Sequence, residues 1–133
     1  SEIVSMDLFD KRADVKMDLT NVVECDVGRC KGFNSRATKF AINFNSFNII
    51  VSHQVFEHIP EPQKAMHSLA RLLAPGGVLL WSAPFLTKNH GMPYDFQRFT
   101  RSQVRSLVFI FINCKLSCFV LTGNTAHKTS RTV

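Results

Sequence analysis

Residues 47–60, Phe-Asn-Ile-Ile-Val-Ser-His-Gln-Val-Phe-Glu-His-Ile-Pro, constrain this chain more than any other stretch. Ile49, Ile50 and Val51 form an unbroken β-branched run, the composition of a strand covered on both faces, so a fully buried strand is predicted over 48–53. Pro62 suits the first turn of a helix, where its fixed φ fits and its missing N–H costs nothing. Ala65, Met66, Leu69, Leu72 and Leu73 follow at helical spacing and make one apolar stripe. Pro75-Gly76-Gly77 ends that helix, and a second buried strand is predicted over 78–83. Strand, crossover helix and strand define a βαβ unit, whose two strands run parallel. Ligands of open α/β sheets sit outside the carboxyl ends of such strands. His53, Gln54, Glu57 and His58 fall there.

A chain of 133 residues allows one domain with a real core. Its formal charge of +6 is spread from Lys11 to Arg131 without a block. That distribution indicates a solvated surface and makes nucleic acid an unlikely partner. Cys25, Cys30, Cys114 and Cys118 lack the two-residue spacing of a zinc knuckle, so no metal site is expected from them. The apolar run 107–112 is too short to span a bilayer, and no membrane association is expected. With no signal peptide visible, a reducing, cytoplasmic setting is predicted. The chain opens on Ser1 rather than Met, so it is expected to begin inside a longer product.

Elsewhere the pattern is less regular. A short strand is predicted over 2–6, ending at Asp7, and a strand with one covered face over 13–19, where apolar and polar residues alternate. Residues 20–46 mix Gly28, Gly32 and several Asn, the composition of a loop with at most one short element. A long loop rich in His, Pro, Tyr and Asp covers 85–99. Thr100 and Gln103 have capping-box spacing, which predicts a helix from Arg101 through Leu107. Residues 109–112 and 119–121 read as strand-like, and 123–133 as a polar, frayed end.

Taken together, these words resemble the class I S-adenosylmethionine-dependent methyltransferases, in the branch of the type 11-like methyltransferase domain. The matching strings are Val-Phe-Glu-His-Ile-Pro-Glu-Pro at 55–62, Ala-Arg-Leu-Leu-Ala-Pro-Gly-Gly at 70–77 and Ala-Pro-Phe at 83–85. The string from His90 to Thr100 resembles a substrate-side loop of one sub-branch. The resemblance covers residues 2–107 and implies an α/β fold, a Rossmann-like class I methyltransferase sheet. This copy departs from the family in lacking the first strand and its glycine-rich loop, and in carrying Asn48 where the family has Asp. The sequence from Val108 onward also differs from the family's closing elements. The division expected is a partial methyltransferase domain over 1–107 and a divergent tail over 108–133.

The resemblance implies methyl transfer by the parent protein with S-adenosylmethionine as cofactor, which this chain, without the glycine-rich loop, is expected to bind poorly. Asp7 would meet the ribose hydroxyls, and Asp18 and Leu19 would lie beside the adenine. Ser52, His53 and Gln54 would meet its amino-acid part. His90, Tyr94, Asp95 and Arg98 fall on the substrate side, where Asp95 could equally pair with Arg98 to hold the loop. Glu57 and His58 could act in acid–base chemistry or serve the turn before the helix, so no catalytic residue is assigned. The acceptor is unidentified: a small molecule is favoured, while a lipid head group, a protein and nucleic acid remain open. Two other functions remain open: a non-catalytic remnant that pairs with another chain to complete its sheet, and a nicotinamide-binding oxidoreductase fragment.

Overall fold

The computed structural model describes residues 3–22, 25–26, 29–30, 42–113, 117–122 and 125–129, with side chains over 3–22 and 42–109. Strand β1 (Met6–Asp7) pairs parallel with β2 (Val15–Lys16). Both are shorter than the sequence predicts, because side chains take over the backbone groups around them. Asp7 Oδ1 accepts from the N–H groups of Phe9 and Asp10, each at 2.7 Å, and turns the chain away. Asp14 Oδ2 accepts from Ser5 N at 3.1 Å and Ser5 Oγ at 2.7 Å. Such local bonds compete with a sheet ladder. A 3₁₀ turn, Leu19–Asn21, follows, and then β3 (Cys25–Asp26) and β4 (Arg29–Cys30) form a small antiparallel pair. The rest of the predicted loop up to residue 41 lies outside the described residues, and Ile42 beyond it is fully buried.

The βαβ unit is present. Strand β5 (Phe47–His53), helix α1 (Pro62–Leu72) and strand β6 (Leu73–Ala83) follow one another, with β5 and β6 parallel from Ile49↔Val78 to His53↔Ser82. Helix α2 (Arg101–Asn113) then leads to β7 (Ser117–Thr122), parallel to β6, and β8 (Thr125–Thr129) closes antiparallel on β7. The sheet order is β5-β6-β7-β8. The predicted capping box is made: Gln103 Oε1 accepts from Thr100 N at 2.8 Å, and Thr100 Oγ1 accepts from Gln103 N at 3.3 Å.

One core cluster joins α1 (Ala65, Met66, Leu69), α2 (Val104, Leu107, Val108) and alternate β6 residues Leu79, Trp81 and Ala83. Trp81 is its centre, meeting the edges of Phe56 and Phe99 at 5.4 and 5.5 Å between centroids, both near perpendicular. A second cluster, around Val15, Met17, Val22, Ile42 and Leu72, covers the β1–β2 side.

Several expectations are corrected. Strand β5 is not fully buried: Ile49 is 62% and Val51 68% exposed. It ends the strand order, and both helices pack on the opposite face, so its β-branched run reads as continuous while only alternate residues are covered. Residues 109–112 lie in α2 instead of a strand, since no Gly or Pro interrupts the helical spacing of Val104, Leu107 and Val108. A division after Leu107 therefore falls inside that helix. The polar end contains β8, separated from β7 by two residues of turn-forming type, Gly123 and Asn124. Among the described residues, no helix is long and apolar enough to cross a membrane.

The Pro-Gly-Gly turn is tighter than a simple helix stop. Pairing jumps from Phe47↔Leu73 to Ile49↔Val78, which leaves residues 74–77 to bulge out. Gly76 takes φ +77°, and a Cβ on Gly77 would lie 2.8 Å from the Ala74 carbonyl oxygen. Gly77→Ala should therefore destabilise the protein by about 1–3 kcal/mol, as overpacking does. A chemical denaturation midpoint measures it; an unchanged midpoint would contradict the close approach.

Candidate functional site

Strand β5 stops at a left-handed residue. Gln54 has φ +51° and donates its N–H to Ser82 O at 3.1 Å. Beside it, His53 Nδ1 lies 2.6 Å from Ser82 Oγ, which ties the carboxyl ends of β5 and β6 together. Ser52 Oγ is buried with no hydrogen-bond partner. The chain then makes a 3₁₀ turn, Phe56–His58, before α1.

The loop after β6 lies on this turn. Phe96 N donates to Glu57 O at 2.8 Å, and Gln97 Nε2 donates to Ile59 O at 2.6 Å and Phe56 O at 3.2 Å. His58 Nδ1 is 2.7 Å from Tyr94 O. Tyr94 in turn stacks on Phe9, from the loop after β1, with centroids 5.4 Å apart and planes 22° from parallel. Loops leaving the carboxyl ends of β1, β5 and β6 thus meet in one place, as the βαβ reading requires.

Asp95 and Arg98 form a bidentate pair, Nη1 to Oδ1 at 2.5 Å and Nη2 to Oδ2 at 2.8 Å. His90 N also donates to Asp95 Oδ2 at 2.7 Å, and Arg98 Nη2 reaches Lys88 O at 3.1 Å. The Asp95 side chain is 1% exposed. The Arg98 guanidinium, helped by the His90 N–H, holds its carboxyl well below the usual carboxylate range. A carboxylate held so low has little basicity at neutral pH, so the pair anchors the loop.

Glu57 is fully buried, and neither carboxylate oxygen has a hydrogen bond among the described residues. Its Oε1 faces two imidazoles, 3.4 Å from His90 Nε2 and 3.8 Å from His58 Nε2. The two rings meet edge to face, 5.0 Å apart. In the sequence, His90 falls among the substrate-side residues, and Glu57 falls with His58 at the earlier turn. Their convergence was signalled only by the adjacency of the strands that precede them.

Asp7 is the last residue of β1 and Asp18 lies just beyond β2, and the two strand ends are linked by the bond from Met17 N to Asp7 O at 3.3 Å. Each has one oxygen engaged locally: Asp7 Oδ1 in the turn already described, Asp18 Oδ1 with Thr20 N and Oγ1, both at 2.8 Å. Leu19 is half-buried and packs against both core clusters. It acts first as an apolar contact shared by the two clusters, as Ile50 does.

With this geometry in view, the chain matches a family model described as a methyltransferase domain over residues 1–81. It belongs to that family, and it carries a class I S-adenosylmethionine-dependent methyltransferase-type domain. No curated protein and no solved structure matches it.

The Asp95–Arg98 anchor has a defined acid signature. A carboxyl with a depressed folded value stabilises fully above its ordinary value of 3.8, and that stabilisation is lost as pH falls below it towards the folded value. Asp95→Asn should therefore lower the melting temperature at neutral pH, with the gap to wild type narrowing at about pH 3. A gap that is constant with pH, in thermal melts by circular dichroism, would contradict the ionised pair.

Proposed function

We propose that this chain serves methyl transfer from S-adenosylmethionine to a small-molecule acceptor, in a cytoplasmic setting. The observation that carries the reading is the meeting of the loops after β1, β5 and β6 beyond the carboxyl ends of parallel strands, in a chain of the methyltransferase-domain family. The residues present fit the cofactor. Ser52 Oγ is a buried hydroxyl in need of a partner at the strand end, where the cofactor's amino-acid part would lie beside His53 and Gln54. Asp7 keeps its second carboxylate oxygen clear of the turn it caps, in a position to accept from a ribose hydroxyl. Asp18 and Leu19 would flank the adenine.

Bound there, the cofactor supplies an electrophilic methyl group on a sulfonium. The protein's part is chiefly alignment, since in-line displacement needs the acceptor close and oriented more than it needs a strong base. His53, fixed through Ser82, and the left-handed turn at Gln54 give the mouth a rigid floor. Exposed rings of Phe9, Tyr94 and Phe96 border it and suit a small acceptor with an apolar or planar body. Asp95 and Arg98 keep the loop, with His90 and Tyr94, over that floor.

Calorimetric titration with S-adenosylmethionine tests the reading. Weak binding is expected, given the missing glycine-rich loop, with Asp7→Ala weakening it further by about ten- to hundredfold, the loss of a hydrogen bond to a charged group. Absence of binding at millimolar cofactor overturns it.

A second reading is favoured by β5. It ends the strand order of the four-stranded sheet among the described residues, and Ile49 and Val51 stand exposed on it. An exposed apolar edge strand is a template for another strand, so the chain could act as a non-catalytic partner that completes its sheet from another chain. Sedimentation that shows a monomer at high concentration, together with cofactor binding, decides for the first reading.

A further inference from the structure

We propose that Glu57, His58 and His90 form a binding site for a divalent transition-metal ion, best suited to zinc. One ligand atom from each lies within 4.8 Å of the others. A tetrahedral zinc with bonds of about 2.0–2.1 Å separates its ligand atoms by about 3.4 Å. The His90 Nε2 to Glu57 Oε1 distance is 3.4 Å and the His58 Nε2 distance 3.8 Å, so small side-chain rotations close the set.

Three further features point the same way. Glu57 is fully buried and aimed between the two rings, and among the described residues its oxygens have no hydrogen-bond donor. Burying a carboxylate is costly unless a cation or donors meet it. Arg98, the nearby cation, turns both Nη groups to Asp95, Lys88 O and Gln97 O; its buried Nε has no partner among the described residues, and its charge acts on Glu57 only through space. Both histidines are oriented as metal ligands are. His58 Nδ1 lies 2.7 Å from Tyr94 O and His90 Nδ1 3.2 Å from Lys88 O, so each Nδ1–H donates to a backbone carbonyl and each Nε2 is left facing Glu57. Finally, Gly91 makes room for the arrangement: at φ +65°, a Cβ there would lie 2.7 Å from His58 Cε1.

Two imidazoles and one carboxylate are a donor set for zinc and similar ions, and three protein ligands leave a position open. His90 is 44% exposed, so that position faces solvent at the loop mouth. The ion would join the turn after β5 to the loop after β6 and present a Lewis-acidic centre beside the proposed acceptor side. The site stands on its own geometry and does not rest on methyl transfer.

The test uses the full chain, stripped with chelator and titrated with zinc by calorimetry and with cobalt by visible absorption. One ion per chain is expected at micromolar affinity or better, with a cobalt spectrum of nitrogen and oxygen ligation. Zinc at a hundred times its dissociation constant would stabilise the fold by about 2.7 kcal/mol. His90→Ala, at a partly exposed position that the fold tolerates, should weaken binding at least tenfold, and Glu57→Gln should do the same. His67→Ala, on the exposed face of α1, should leave it unchanged. No binding at millimolar metal, binding unaffected by His90→Ala, or a cobalt spectrum dominated by thiolate would each overturn the proposal.

Discussion

The parallel pairing of β5 with β6 holds the rest of the structure in place. Its register sets His53 beside Ser82 and Ser52 beside Trp81. From that alignment, Trp81 projects into the helical side, where Phe56 and Phe99 close on it from the two loops that leave the strands. Core packing and site architecture therefore share one element. The aromatic contacts that bury apolar surface also fix where each loop starts, and the loop-to-loop hydrogen bonds at Glu57, Ile59 and Tyr94 follow from those starting points.

Much of this was legible in the sequence. The βαβ order, the helix opened by Pro62, the capping box at Thr100 and the position of the polar residues at strand ends all rest on local chemistry, which a single sequence displays. What depended on partners was not legible. The exposure of Ile49 and Val51 depends on what lies beside and above β5, and a β-branched triplet reads alike in a central and an edge strand. Residues 109–112 have strand composition for a related reason: Phe and Ile favour strands, and the packing of Val104, Leu107 and Val108 overrides that preference in favour of the helix.

At the site the division is similar. Ser52, His53 and Gln54 were placed at a strand end by pattern, and they are there. Asp95 and Arg98 were open between chemistry and loop anchoring, and three residues of spacing could not decide; the bidentate contact and near-complete burial of the carboxylate favour the anchor. Glu57 and His90, the ends of the triad with His58, are 33 residues apart in sequence, and nothing in the local pattern signals it. It exists because adjacent parallel strands deliver their following loops to one side.

The chain has one tryptophan and one tyrosine, and the fold puts them to different uses. Trp81 sits dry beneath the loops, boxed by two phenylalanines, while Tyr94 rides on the outer loop against Phe9. The protein thus contains its own pair of optical labels. Indole emission reports whether the interior is intact, and the phenol, at the rim, senses what settles on the mouth, so the two events can be followed separately in one unlabelled sample.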